Sequence, residues 1–168
     1  MRPLFIFLSV GIGLMVVGCA GPGGISSSNQ SLRRIAGNAD GIIRTTAYTH
    51  TEADSLQYGM KNAAGTNLKY GRVRSAAADW SVFPMGTVFK IKGEPYLYEV
   101  DDYGSALVGT STIDLYKPNK GMMNQWGVRQ VPIEIVRWGD KAKSLQVLKP
   151  RTKARHVRDM IRAIESQS

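Results

Sequence analysis

The sequence has little of the chemistry that most enzymes use. It holds one cysteine, Cys19, and two histidines, His50 and His156, which lie far apart. One cysteine forms no disulfide within the chain, and this inventory offers neither a metal cluster nor a Cys/His nucleophile. His50, Glu52 and Asp54 share one loop, but no second ligand motif accompanies them. We therefore expect no metal and no other cofactor.

Phosphate loops of the Walker type and Gly-x-Ser-x-Gly elbows are also missing. Their absence removes two common nucleotide-binding and nucleophilic sites. A catalyst built from this chain would work with carboxylates, hydroxyls and backbone groups.

Long apolar runs are missing apart from residues 4–17, which follow Arg2. A bilayer span needs roughly 20 apolar residues, so this run resembles the core of a signal peptide. The segment Val16-Val17-Gly18-Cys19 resembles a bacterial lipobox, in which Cys19 becomes the lipidated first residue. We expect residues 1–18 to be a lipoprotein signal peptide, with an ordinary secretory signal or an uncleaved anchor as alternatives. The protein would then be lipid-anchored in the cell envelope, on the outer membrane facing the periplasm in a Gram-negative host.

Gly, Ser, Asn and Pro dominate the stretch that follows, and residues 19–40 are predicted to form a flexible tether. The coil estimate for such a segment gives a reach on the order of 25 Å. That reach would hold a small domain just off a membrane surface.

Positive charge concentrates in residues 140–168, a basic extension with eight Lys or Arg and three acidic residues. Apolar residues recur there at helical spacing, which predicts an amphipathic helix over 151–166. Such charge would attract nucleic acid, anionic lipid or an acidic wall polymer, and export argues against nucleic acid. A solvated helix face without a partner is the alternative.

Residues 41–139 have the pattern of one small, mainly β domain. Apolar and polar residues alternate in several segments, which predicts strands with one buried face. Strands are predicted over 41–49, 72–78, 87–92, 96–101, 111–116 and 129–138, with a turn at 93–95 and a short helix at 118–126. Six short strands must hide their edges, so a small six-stranded barrel with a C-terminal amphipathic helix is the expected fold.

Three aspartates stand in recognisable local settings. Asp79 begins a turn before Pro84, Asp102 precedes Tyr103-Gly104, and Asp114 lies within a short predicted strand. Aspartates at strand ends and before glycines are commonly turn residues, so a structural role is the first alternative for each. Strand alternation places the neighbouring Asp101 on the opposite face, where we expect a surface or turn residue.

Five motifs follow one another in the order of the Asp-Asp-Asp (3D) domain family. They are Thr46-Ala47-Tyr48-Thr49, the Asp79 segment ending in Pro84-Met85-Gly86-Thr87, the Asp102 segment, Ile113-Asp114-Leu115-Tyr116 and Gln125-Trp126-Gly127-Val128-Arg129. The resemblance covers about residues 43–138. It implies a double-psi β-barrel similar to the catalytic domain of membrane-bound lytic transglycosylase A and of small cell-wall lytic proteins.

The resemblance also implies an activity, the non-hydrolytic cleavage of the MurNAc-GlcNAc β-1,4 bond of peptidoglycan to a 1,6-anhydro-MurNAc end. Ordinary glycosidases use two working carboxylates. A lytic transglycosylase needs one, because the C6 hydroxyl of the sugar attacks the anomeric carbon. By motif, Asp114 is the acid/base, Asp102 tunes it, and Asp79 completes the cluster.

The resemblance places Thr46 and Tyr48 along the substrate groove. Tyr48 or Trp80 would stack on a sugar ring, with a place in the barrel core as the alternative for such aromatic residues. Backbone N–H groups near Gly104 and Gly109 would stabilise developing charge. The chain departs from the family pattern by one extra residue between Gly109 and Asp114. An extra residue turns the following side chains to the other face unless a bulge absorbs it.

Two further functions fit these observations. One is a non-catalytic peptidoglycan-binding or wall-loosening module of the expansin-like double-psi type. The other is a tethered structural lipoprotein that links membrane and wall electrostatically. Under each of the three, we expect a monomer whose partners are peptidoglycan and, through Cys19, the membrane.

Overall fold

The computed structural model describes residues 40–52 and 59–167. The predicted signal peptide, Cys19 and the predicted tether up to residue 39 lie outside these ranges, as does Asp54. Within them, no helix is long and apolar enough to cross a membrane.

Six strands close into one barrel. They are β1 (Asp40–Tyr48), β2 (Val73–Ala77), β3 (Val88–Ile91), β4 (Leu97–Asp102), β5 (Ile113–Tyr116) and β6 (Arg129–Arg137). Around the barrel they are hydrogen-bonded in the order β1-β5-β2-β4-β3-β6. Each predicted strand is present with its ends within two residues of the prediction.

The barrel is mixed rather than simply antiparallel. Strand β1 runs parallel to β5 and β2 runs parallel to β4, while the other four pairings are antiparallel. Closure leaves none of these six strands with an unpaired edge. The predicted fold class is confirmed, and the topology is consistent with a double-psi barrel.

Alternating side chains fill the barrel interior as the sequence predicts. Phe89 and Ile91 of β3 are buried while Lys90 is exposed, and Ile133 and Ile135 of β6 are buried on either side of an exposed glutamate. The turn at 93–95 joins β3 to the antiparallel β4, and Gly93 adopts the left-handed φ of 90° that glycine tolerates best.

Three α-helices occur in the described residues. Helix α1 (Lys120–Trp126) matches the short helix predicted before the last strand. The basic extension folds as α2 (Lys141–Leu148), a 3-10 turn (Lys149–Arg151) and α3 (Arg155–Glu165). The prediction of one C-terminal helix is therefore right for α3 and missed α2.

The two C-terminal helices belong to the same hydrophobic core as the barrel. Helix α3 is amphipathic as predicted, and its buried stripe consists of Val157, Met160, Ile161 and Ile164. These residues lie in one continuous core cluster with Trp80 of the barrel. The extension thus contributes to the packing of the whole domain.

Gly139 joins the barrel to the C-terminal helices through a close backbone contact. A methyl group on Gly139 would overlap the carbonyl oxygens of Pro84 and Met85 and would lie 2.6 Å from Thr87 N. The Gly139 N–H donates to Thr87 Oγ1 at 3.0 Å, and Met85 N–H donates to Ser144 Oγ of α2 at 2.9 Å. Only glycine fits at this junction without movement of backbone.

We predict that Gly139→Ala lowers the free energy of unfolding by about 1–3 kcal/mol, as overpacking against rigid neighbours does. Urea denaturation of the purified domain measures this. Gly71→Ala is the matched control, because Gly71 is exposed and a methyl there meets nothing within 4 Å. Equal stability of the two variants would contradict the proposed junction.

Candidate active site

Strand β2 brings two of the three aspartates together. Ala77 pairs with Asp114 of β5 on one side and with Asp102 of β4 on the other. Residues in register on neighbouring strands share a face, and strands lie about 4.8 Å apart, so the two aspartate Cα atoms are about 10 Å apart. The methyl side chain of Ala77 leaves the space between the two carboxyl groups open.

Asp114 is held by one hydrogen bond. Thr46, its register partner on β1, donates from Oγ1 to Asp114 Oδ1 at 2.6 Å. Among the described residues, no group donates to Oδ2. Burial raises the pKa of Asp114 to about 6; the Thr46 hydroxyl and Arg44 oppose the rise, while Glu52 and Asp102 add to it. The carboxyl group is therefore partly protonated near neutral pH.

The extra residue after Gly109 does not turn Asp114 away. It is accommodated in the loop before β5, where Thr110 N–H donates to Leu107 O and Thr112 N–H donates to Thr110 Oγ1. The strand itself starts only at Ile113. Asp114 consequently keeps its register opposite Thr46.

Asp102 is held much more firmly than Asp114. Its Oδ1 accepts from the backbone N–H groups of Ala63 (3.0 Å) and Tyr103 (2.9 Å), and its Oδ2 accepts from the Tyr48 hydroxyl (3.1 Å). Burial raises the pKa of Asp102 to about 6 although these three donors oppose the rise. Burial, and next the Asp102 charge, raises the pKa of Tyr48 well above its usual value, so Tyr48 remains a proton donor.

Asp101 is buried, and its prediction as a surface or turn residue is wrong. The pairing of β2 with β4 passes from Val100 directly to Asp102, so Asp101 occupies a β-bulge that interrupts the alternation. Its exposed fraction is 3%. It accepts a hydrogen bond from Ser75 Oγ at 2.8 Å and forms an ion pair with Lys69 at 3.1 Å.

Asp79 connects two turns. Its Oδ1 accepts from Ser81 N–H (2.8 Å) and Ser81 Oγ (2.7 Å), and its Oδ2 accepts from Gly109 N–H (2.7 Å). The side chain is buried, so these bonds replace water completely. The Gly109 N–H is thereby already satisfied, contrary to the expectation that it stabilises charge on a substrate.

Trp80 cannot stack on a sugar ring in this structure, since its exposed fraction is 0%. Its Nε1 donates to the carbonyl oxygen of Asp102 at 2.9 Å, and its ring meets Tyr103 edge to face with centroids 5.0 Å apart. Trp80 thus supports the Asp102 backbone from the core. Tyr48 and Gly104 are only partly buried, and their place beside a substrate groove stays a prediction.

Two charged residues near Asp114 were missed. Arg44 and Glu52 both act on its pKa. The alternation of β1 could have identified Arg44, because Arg44, Thr46 and Tyr48 occur at every second position and so share one face. His50 Nδ1 forms a hydrogen bond with the Tyr116 hydroxyl at 2.8 Å. The described part of the chain contains no group of His, Cys, Asp or Glu arranged to hold a metal ion.

Comparison with known proteins agrees with this arrangement. Residues 74–137, which carry β2 to β6 and all three aspartates, match the family model described as "3D domain". The chain is 31% identical over 113 residues to the "Putative cell wall shaping protein YabE" of Bacillus subtilis (strain 168). That alignment covers 67% of this chain and 25% of the length of the relative. The resemblance seen in the sequence is confirmed: this chain contains a 3D domain.

Proposed function

We propose that this protein is a peptidoglycan lytic transglycosylase. The observation that carries the proposal is the state of Asp114, a partly buried carboxyl group with a pKa of about 6 and one oxygen that no described residue engages. A general acid works best when its pKa lies near the working pH. The name of the Bacillus relative, which refers to shaping of the cell wall, supports peptidoglycan as the substrate.

The reaction follows from one proton carrier. Protonated Asp114 donates its proton to the glycosidic oxygen, and the bond from C1 of MurNAc to that oxygen breaks. The C6 hydroxyl of the same MurNAc attacks C1, and the Asp114 carboxylate accepts the hydroxyl proton. The products are a free GlcNAc 4-hydroxyl and a 1,6-anhydro-MurNAc end, and no water is consumed.

Asp102 and Tyr48 act through Asp114 in this proposal. The charge of Asp102 raises the pKa of Asp114, while the three donors on Asp102 fix its carboxylate in place. Thr46 orients Asp114 through its short hydrogen bond. Asp79 is assigned a positioning role, because both its oxygens hold the turns at Ser81 and Gly109.

The location is proposed from the N-terminal sequence. Lipid on Cys19 and a tether through residue 40 would hold the domain at the membrane, within reach of the glycan strands. Metabolic labelling with a lipid precursor, compared between wild type and Cys19→Ala, tests the anchor.

We predict that Asp114→Asn lowers the release of anhydro-muropeptides from purified sacculi by about 10²–10⁴-fold, the usual contribution of general acid catalysis. Sacculus binding should persist, because Asn keeps the shape of the side chain and the acceptor for Thr46. Release is measured by chromatography and mass spectrometry of the soluble products.

The same substitution should stabilise the fold at pH 7. The folded pKa of about 6 lies above the reference value of 3.8. The contribution of Asp114 to the free energy of unfolding is therefore fully present below pH 4 and is lost as pH rises through 6. Asn, neutral at every pH, should add about 1–3 kcal/mol at neutral pH. Glu134→Gln, an exposed carboxylate on β6, is the control that should change neither property.

Two outcomes count against the proposal. Wild-type protein that binds sacculi and releases no anhydro product would favour the non-catalytic binding module. Undiminished release by Asp114→Asn, with the Glu134→Gln control active, would remove Asp114 from the role of acid.

The rate of release should fall as pH rises above about 6, because Asp114 loses the proton that it must donate. In Asp102→Asn the fall should begin at lower pH, by less than about one unit, since one neighbouring negative charge is gone. Initial rates across a pH series measure both. An identical pH profile in Asp102→Asn would show that Asp102 does not act through the pKa of Asp114.

Asp79→Asn is predicted to lower the free energy of unfolding by about 1–3 kcal/mol, because the new amide NH₂ must face an N–H donor at Ser81 or Gly109. Activity per folded molecule should fall far less than in Asp114→Asn. Thermal unfolding followed by circular dichroism, with release assayed well below the melting temperature, separates the two effects. Unchanged stability with lost release would place Asp79 in the chemistry instead.

A further inference from the structure

A cavity of about 790 Å³ lies beside the bulge of strand β4. It is lined by the bulged residue Asp101, by the turn through Gly86, by the end of β6 and by the start of α2. The residues proposed for chemistry, Asp102 and Asp114, do not line it. The cavity is therefore distinct from the position of these two carboxyl groups, and one peptide unit, between Asp101 and Asp102, connects the two regions.

On the floor of the cavity, Lys69 lies between two carboxylates. Lys69 Nζ lies 2.7 Å from Glu99 Oε2 and 3.1 Å from Asp101 Oδ2, so one ammonium group bridges two carboxylates. Hydrogen bonds to Glu99 and Asp101 raise the pKa of Lys69 although its burial opposes the rise. This ion triad holds the floor in one shape.

The rim carries unbalanced positive charge. Arg137, Lys141 and Lys143 line the cavity, and among the described residues neither lysine has an ion-pair partner. The one acidic rim residue, Asp140, accepts hydrogen bonds from Ala142 N–H and Lys143 N–H as the N-cap of α2. Its carboxylate is thus engaged by the helix, and on the rim it is the one acidic group beside three cationic side chains.

One aromatic ring completes the rim. Trp138 is 40% exposed, and its indole is stacked on Phe83 with centroids 6.2 Å apart and planes 12° apart. The ring is thereby fixed in orientation and presents an apolar surface beside the lysines. A ligand that carries a carboxylate next to apolar groups would pair with the lysines and pack on the Trp138 ring.

We propose that this cavity binds the carboxylate-bearing peptide stem of a peptidoglycan strand whose glycan lies at Asp114. The inference rests on the proposed function for its substrate. A stem starts from the muramic sugar beside the scissile bond, and extended peptide spans about 3.3 Å per residue. At least three extended stem residues are therefore needed to cross the roughly 10 Å between Asp114 and β4. Lys141 and Lys143 then pair with stem carboxylates, and Trp138 packs on aliphatic stem atoms.

The test measures binding of two soluble ligands, a disaccharide-peptide and the same disaccharide without its peptide, to the Asp114→Asn protein. This background stops turnover, so binding is read alone. Adding Lys141→Gln and Lys143→Gln should weaken the disaccharide-peptide about three- to tenfold, the range expected for two exposed ion pairs. The peptide-free disaccharide should bind more weakly and respond little. Lys120→Gln on α1, an exposed lysine that does not line the cavity, is the surface-lysine control.

Fluorescence of Trp138 gives a second readout. The disaccharide-peptide should perturb tryptophan emission, and Trp138→Phe should abolish most of that change. Raising salt from about 50 mM to about 500 mM should erase the difference between the lysine variant and its control, because exposed charges are screened.

Two results would overturn the inference. One is equal affinity of the lysine variant and the Lys120→Gln control for the disaccharide-peptide. The other is equal loss of affinity for both ligands, which would assign the lysines to the glycan. Either result leaves the proposed chemistry intact if wild type releases anhydro product from sacculi. If peptide binding depends on the lysines but wild type releases no anhydro product, the peptide-binding site in the cavity is supported and the proposed lytic transglycosylase activity is rejected.

Discussion

The packing of three strands at Ala77 is the constraint on which the site depends. Ala76, Ala77 and Ala78 are all buried, and Ala77 is in register with Asp114 on one side and with Asp102 on the other. A larger side chain at Ala77 would occupy the space into which both carboxyl groups project. The run of small residues thus lets acidic groups from two different strands approach each other on a closed barrel.

Four aspartates with the same side chain, Asp79, Asp101, Asp102 and Asp114, have different surroundings in this fold. Asp79 and Asp101 are almost completely buried. Asp79 accepts hydrogen bonds at both oxygens, whereas Asp101 pairs with Lys69 through Oδ2, has no partner for Oδ1 among the described residues, and has a pKa that burial raises. Asp102 and Asp114 form no ion pair with any described residue, so burial dominates and their pKa values rise to about 6. Asp102 and Asp114 are only partly buried and can meet a substrate, whereas Asp79 and Asp101 are enclosed, so access combined with a raised pKa distinguishes the candidate proton carriers from the structural acids.

Local pattern predicted the strands well, because alternation and turn residues act within a few positions. The strand predicted over 111–116 also contains Asp114, as observed. Three features depend on distant partners and were missed. The bulge that buries Asp101 arises where β4 pairs with β2, the burial of Trp80 arises from core packing, and α2 carries too few apolar residues to show a helical stripe. Cys19 lies outside the described residues, so the lipid anchor stays a prediction.

The junction at Gly139 bears on where this domain begins and ends. The family match runs from residue 74 to residue 137, which leaves out β1 and the Gly139 contact. A fragment with those bounds would bare one edge of β5 and one of β6, and unpaired edges invite aggregation. The smallest segment expected to fold when it is fused to another protein therefore runs from β1 through α3. Any fusion protein that contains this segment would therefore also contain the positively charged helices α2 and α3.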